Sequence, residues 1–337
     1  MPDNLLFAME VAMNGLMAGI MYSLVALGFV LIFKASGIFN YAQGVMALFA
    51  AMTLVGIQNG QIPFAHLINA AFGTHLYHFG WNVPALAAIL LTVLVMVGLA
   101  FAVHRLILRH LVNQEPIILF MATIGLAYLL EGVADLMWGS ELKKLDVGIP
   151  QGINTAIDSA TYNVFGYGFF IDNLDIVAAF VAVFLVLALI AFSQYTKQGR
   201  ALRAVADDHQ AALSVGISLD FIWVLVWSIA GFVALVAGIM WGTKSGVQFS
   251  LSLIALKALP VLMLGGFTSI PGAIVGGLII GMGEKLFEFF MSSNSLAGEL
   301  FGFTISATEN WFAYMLALAF LVFRPQGLFG EKIIERV

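Results

Sequence analysis

LLFAMEVAMNGLMAGIMYSLVALGFVLIF, running from Leu5 to Phe33, decides the fold class. An apolar run of this length crosses a bilayer as a helix, because about 20 residues span the hydrocarbon core and a helix satisfies its own backbone hydrogen bonds there. The run is too long for a cleavable signal and is expected to stay as the first span. Outward from it, similar runs recur near residues 39–58, 83–108, 116–138, 174–195, 221–242, 252–268, 271–290 and 307–324. The 337 residues are 61% hydrophobic and 10% charged, whereas a soluble domain carries about 25% charge. These features predict an all-α fold, a polytopic transmembrane helix bundle of about eight to ten spans, with residues 1–337 as one transmembrane domain.

Composition also excludes function classes. Net charge is −5 and the basic residues are scattered, which argues against a nucleic-acid surface. Cysteine is absent, removing disulfides, thiolate metal sites and cysteine nucleophiles. His75 and His78 lack a third ligand nearby and make a poor zinc site, so no metal is expected. The segment from Gln61 to Gly80, bounded by Pro63 and Pro84 and carrying His66, Asn69, His75 and His78, reads as a loop or a re-entrant hairpin as readily as a span.

Lysine and arginine in short loops set the orientation. His104, Arg105, Arg109 and His110 mark one cytoplasmic loop, Lys197, Arg200 and Arg203 another, and Arg324, Lys332 and Arg336 place the C-terminus on that side. Residues 139–173, with Asp146, Asp158 and Asp172 and with Lys143 and Lys144 balancing Glu141, read as an external loop with short β-like runs. Counting spans back from this loop leaves the N-terminus outside, unless the long first segment is two elements.

Residues 196–220 form a short charged segment on the cytoplasmic side. Ala201 to Ala206 are helix-compatible, Asp207 and Asp208 interrupt, Ala211 to Val215 resume, and Gly216 can close the turn, so two short helices at the membrane surface are expected. An ordinary solvated connection is the alternative. The small residues Ala204 and Ala206, then Asp207, then Gly216 and Ile217, resemble the cytoplasmic coupling motif of ATP-binding-cassette importers.

Four further blocks narrow the resemblance to the permease subunits of the branched-chain, or hydrophobic, amino acid uptake transporters. Gly15 to Gly28 is similar to the family's first span, Gly37-Ile-Phe-Asn-Tyr-Ala-Gln-Gly44 to its second-span signature, Leu264 to Gly277 to its glycine-rich late turn, and Arg324-Pro-Gln-Gly-Leu-Phe-Gly330 to its tail. The resemblance implies a permease subunit forming half of a substrate passage in a bacterial inner membrane. Its partners would be a second related permease chain, two cytoplasmic ATPase subunits and a periplasmic substrate-binding protein. No nucleotide-cradling motif occurs here, so the chain is not expected to be an enzyme or to hold a cofactor; ATP and magnesium would belong to the partner ATPases. The implied ATPase-coupling residues are Arg200, Arg203, Ala206, Asp207, Asp208 and Gly216.

Residue chemistry adds candidate passage groups. Asn40, Tyr41 and Gln43, bracketed by Gly37 and Gly44, are polar at a depth where polar groups are costly unless paired or wetted. They line a passage, or they belong to an interfacial helix start with Asn40 as cap. Tyr22 joins them as a passage candidate. Gly265, Gly266, Thr268 and Ser269, before Pro271, read as a reversal between helices, or as a re-entrant turn touching substrate.

Glu131 and Asp135 share a face of one span, and Lys257 lies inside another with Glu284 or Glu288 as possible partners. The favoured reading of Glu284, Lys285 and Glu288 is one interfacial ion-pair cluster. Gly15/Gly19, Gly238/Gly242 and Gly277/Gly281 stand at helix-contact spacing and read as packing seams. Where the family carries His and then Gly-acid, this chain has Gln43, Gly44 and Val45. Branched-chain or other amino acids are the expected substrates; urea or short amides, or organic or aromatic acids, are the alternatives. The rival from another class is a proton-coupled secondary transporter using Glu131, Asp135 and Lys257.

Overall fold

A computed structural model describes residues 2–111, 114–207, 209–291 and 309–330. Helix is the regular structure of the described residues, which hold three isolated β-bridges and no strands. Thirteen α-helices follow one another: α1 (Pro2–Ser36), α2 (Gln43–Gln58), α3 (Ala65–Phe72), α4 (Ala85–Leu106), α5 (Pro116–Trp138), α6 (Thr155–Phe165) and α7 (Asn173–Tyr195), then α8 (Lys197–Asp207), α9 (His209–Ser214), α10 (Leu219–Ser245), α11 (Ile254–Gly265), α12 (Ile270–Met291) and α13 (Glu309–Phe323).

Six segments among the described residues are long and apolar enough to cross a membrane: Leu5–Ser36, Ala85–His110, Pro116–Trp138, Asn173–Tyr195, Leu219–Ser245 and Ile270–Met291. Gln43–Gln58, Phe249–Gly265 and Trp311–Phe323 are shorter apolar helices. Each falls on one of the nine apolar runs. The ambiguous segment after Gln58 is not a span: it contains only the eight-residue α3, closed at its base by a bridge between Gln61 and His78. Asn69 holds its return, accepting from the Leu76 N–H and the Thr74 hydroxyl while donating to the Leu76 carbonyl.

The chain divides into two compact units. One comprises Met1–Ala26, Ile149–Leu187 and Leu256–Val337; the other comprises Leu27–Gly148 and Ala188–Ala255. In the first, α1 and α12 meet along glycine. A Cβ on Gly19 would stand 2.2 Å from the Gly277 carbonyl oxygen, and one on Gly281 would stand 2.4 Å from that of Gly15. Bare backbone is what lets two helices approach this closely in lipid. Ser23 sits in the same seam, donating to the carbonyls of Gly19 and Ala273.

Where β-like runs are expected after Gly139, the first unit instead carries α6. Asn154 accepts from the Ala156 and Ile157 N–H groups at its start, and Gly166, at φ 71°, ends it. That side-chain cap outweighs the β-branched residues nearby.

In the second unit α10 packs on α4 and α2, and α2 packs on α4 and α5. Helix α2 is buried over nearly its whole length, so it has no lipid-facing side of its own within this unit. Gly238 of α10 rides on the Ala47 carbonyl of α2.

Candidate functional site

The break between α1 and α2 collects the first group of expected passage residues. Gly37, at φ 68°, ends α1 by returning its N–H to the Phe33 carbonyl. Asn40 is fully buried; its amide donates to Gln43 and its oxygen accepts from the Ala42 N–H. Gln43, also buried, donates to the Ala230 carbonyl and lies flat on Gly28. Their polar groups are therefore satisfied within the protein, as burial demands. Tyr41 is the exposed member, its N–H on the Thr123 hydroxyl and its ring edge-on to Phe120. Gly44 lies against the Ser252 carbonyl.

The late turn does not stand alone. Gly265, Gly266 (φ 102°), Thr268 and Ser269 link α11 to α12, and Ser269 caps α12 by accepting from the Gly272 N–H. The tail block docks onto this turn: Leu328 N–H donates to Leu264 and Phe329 N–H to Gly265. A Cβ on Gly327 would meet the Gly266 backbone and one on Gly266 the Gly330 backbone, so neither could carry a side chain unshifted. Two of the four quoted blocks thus form one structural element.

Tyr22 is brought together with Lys257 and Glu284. The tyrosine hydroxyl donates to Glu284 Oε1 at 3.3 Å, and the Lys257 ammonium lies 3.4 Å from the same oxygen and 3.3 Å from the hydroxyl. The Glu284 side chain is 2% exposed and that of Lys257 32%. Of the expected cluster of Glu284, Lys285 and Glu288, Lys285 pairs with Glu288 at 3.1 Å, while Glu284 also takes the other expected partner, Lys257, together with Tyr22 of α1. A carboxylate this deep requires a partner, and Lys257 supplies the opposite charge.

The charged segment forms two short helices, α8 and α9. Gly199, Leu202 and Val205 bury one face of α8, and Gly199 allows it to fold back on the Phe192 carbonyl of α7. Arg200 and Asp207 are exposed, and Arg203 and Ala206 are half-buried. Arg203 Nε is buried without a hydrogen-bond partner among the described residues. Gly216, at φ 85°, closes α9 by donating to Leu213. Asp208, expected among the coupling residues, lies outside the described residues, as do Lys332 and Arg336.

On α5, Glu131 is half-buried and Asp135 exposed. Asp135 lines a cavity of about 520 Å³ together with Gln61, His78, Trp138, Glu141 and Lys143. Sequence reading treats Lys143 only as a charge balancing Glu141; its role in a cavity depends on a contact with Gln61, far away in the chain, that no local pattern announces. Among the described residues no group of three metal-ligating side chains occurs, and His78 faces the Asn59 carbonyl.

Residues 11–324 match the family model described as "Branched-chain amino acid transport system / permease component". The chain belongs to that family. The permease aligns over its full length with the high-affinity branched-chain amino acid transport system permease protein LivH of Escherichia coli K12, at 26% identity over all of both chains. It is 27% identical to the corresponding protein BraD of Pseudomonas aeruginosa over 96% of each chain. It is 28% identical to a probable LivH of Methanocaldococcus jannaschii, over 91% of this chain and 88% of that one. With its long apolar helices, this family member is a multi-pass membrane protein and a transport permease rather than an enzyme.

Proposed function

We propose that this chain is the permease subunit of an ATP-binding-cassette importer for branched-chain or other amino acids. The observation that carries the reading is the full-length alignment with permeases named for branched-chain amino acid transport. In this reading the three shorter apolar helices join the six long ones to give nine crossings. Nine crossings put the N-terminus outside and the C-terminus inside a bacterial inner membrane. The arginines after α4, at the start of α8 and after α13 then all fall on the cytoplasmic side, as the positive-inside rule requires.

A second related permease chain completes the passage, two ATPase subunits dock from the cytosol, and a periplasmic binding protein delivers substrate near residues 139–173. Helices α8 and α9 take up the ATPase motion. The buried face of α8 anchors it to the permease, while the exposed Arg200 and Asp207 remain for a soluble partner. Closure of the ATPases on ATP, with its magnesium, shifts the helices between outward and inward access.

The test is co-purification with the ATPase subunits and measurement of transport-linked hydrolysis. The pair Arg203→Glu and Asp207→Arg is expected to abolish both association and coupling. Unchanged association and hydrolysis in that variant refute the coupling assignment. Uphill uptake by the isolated chain in vesicles under a pH gradient alone would show a secondary transporter instead.

A further inference from the structure

The cavity at the end of α5 is built, not incidental. Lys143 is clamped by its backbone, which exchanges two hydrogen bonds with buried Val247. Its ammonium donates to Gln61 Oε1 at 2.7 Å and to the Trp138 carbonyl at 2.6 Å. Trp138 is itself pinned: its ring lies flat on Gly56 of α2 and its indole N–H donates to the Thr53 hydroxyl. Gln61 is set by the bridge to His78. Between the lining residues Ile62 and Ala65, Phe64 donates its N–H to the carbonyl of Met137, also in the lining, with its backbone at φ 59°. Among the described non-glycine residues it alone has positive φ, and strained backbone of this kind gathers at ligand clamps.

Two of the three Lys143 donors are spent on neutral acceptors. Among the described residues no carboxylate is ion-paired with it. One donor on a held cation therefore remains for an anion. Asp135 and Glu141 line the same cavity, and Ile62, Leu136 and Trp138 give it an apolar side. Cation, carboxylates and apolar wall in one cavity of about 520 Å³, within the range of about 300–1,000 Å³ typical of small-molecule sites, match a specific ligand chemistry. We infer that this cavity is a receiving site for a zwitterionic α-amino acid with an apolar side chain: Lys143 takes the carboxylate, Asp135 and Glu141 the ammonium, and Ile62, Leu136 and Trp138 the side chain.

The inference rests on the import reading for one point, that the cavity opens on the outer face, where substrate arrives. Lys143 is primed for this role. Burial lowers its pKa against the weaker opposing pull of Glu141, and an arriving carboxylate close to the ammonium would favour its charged form.

The experiment is amine acylation of the full chain in lipid nanodiscs, read peptide by peptide by mass spectrometry with L-leucine present or absent. Leucine at about ten times its half-protecting concentration slows labelling of Lys143 about tenfold, while the exposed neighbour Lys144 is unaffected. 4-Methylpentanoate and 3-methylbutylamine, each with one of the two charges, protect far more weakly. Asp135→Asn reduces protection by leucine and brings it closer to that by 4-methylpentanoate. Lys143→Arg, which keeps the donors, retains leucine binding by equilibrium dialysis, and Lys143→Met loses it while still assembling with the ATPases.

Unchanged Lys143 labelling at millimolar leucine overturns the site, and equal protection by 4-methylpentanoate overturns the zwitterion assignment. Loss of leucine protection in a chain that holds its ATPases removes this site alone. Protection in a chain that holds none removes the importer reading and leaves the site.

Discussion

Lys257 and Glu284 form an ion pair across the two helices α11 and α12, 3.4 Å apart, with the carboxylate almost fully buried and Tyr22 hydrogen-bonded to both. Removing one member of a buried pair leaves the other uncompensated and costs about 3–5 kcal/mol, while removing both is often close to neutral. Because the lysine is about a third exposed, Lys257→Met is expected at or below the low end of that range. Glu284→Gln combined with Lys257→Met should recover most of the loss, as read by thermal unfolding in detergent. An additive double variant would show that the pair is not coupled.

Gly19 and Gly277 have no room for a side chain, because a Cβ on either meets the other's backbone at 2.5 Å or less. Gly19→Val or Gly277→Val must push α1 and α12 apart, at about 1–3 kcal/mol or more. Both should lower the unfolding temperature far more than Gly98→Val, at a glycine with open space around it.

Lys143 should govern part of the alkaline stability profile. Burial lowers its pKa from the ordinary 10.5, so the folded state binds fewer protons than the unfolded state between the two values. The penalty for its charge is fully present below the folded-state pKa and disappears as pH rises from there towards about 10.5, so stability increases over that interval. Unfolding followed as pH rises towards about 10.5 should show this rise, and Lys143→Met should flatten it.

Tyr167 donates to Glu10 at 2.8 Å, and Glu10 also accepts from the Phe170 N–H. Burial and the carboxylate push the Tyr167 pKa up to about 12. The stabilisation is complete below the unfolded value of about 10 and is lost as pH climbs through about 12. Tyr167→Phe should cost about 1.5–3 kcal/mol, the worth of a hydrogen bond to a charged group. Tyrosinate absorbance should show one group titrating late in the parent and absent in the variant.

Much of this architecture is legible locally. The apolar runs name their helices because backbone hydrogen bonding in lipid leaves a single solution, and the spacing of Gly15, Gly19, Gly277 and Gly281 marks surfaces suited to close contact. The turn at Gly216 follows from the conformational freedom of glycine. Asn154 was hidden among β-like neighbours, since a cap acts through a single side chain and leaves no periodic trace.

What the sequence determined by itself is an all-helical membrane protein, because hydrophobicity and helix-contact spacing are written residue by residue. Only the tertiary structure decided which glycines face one another, that Glu284 pairs with Lys257, and that Gln61, Trp138 and Lys143 line one cavity. Those pairings join residues distant in the chain, and electrostatics and packing act across space where no local pattern records them.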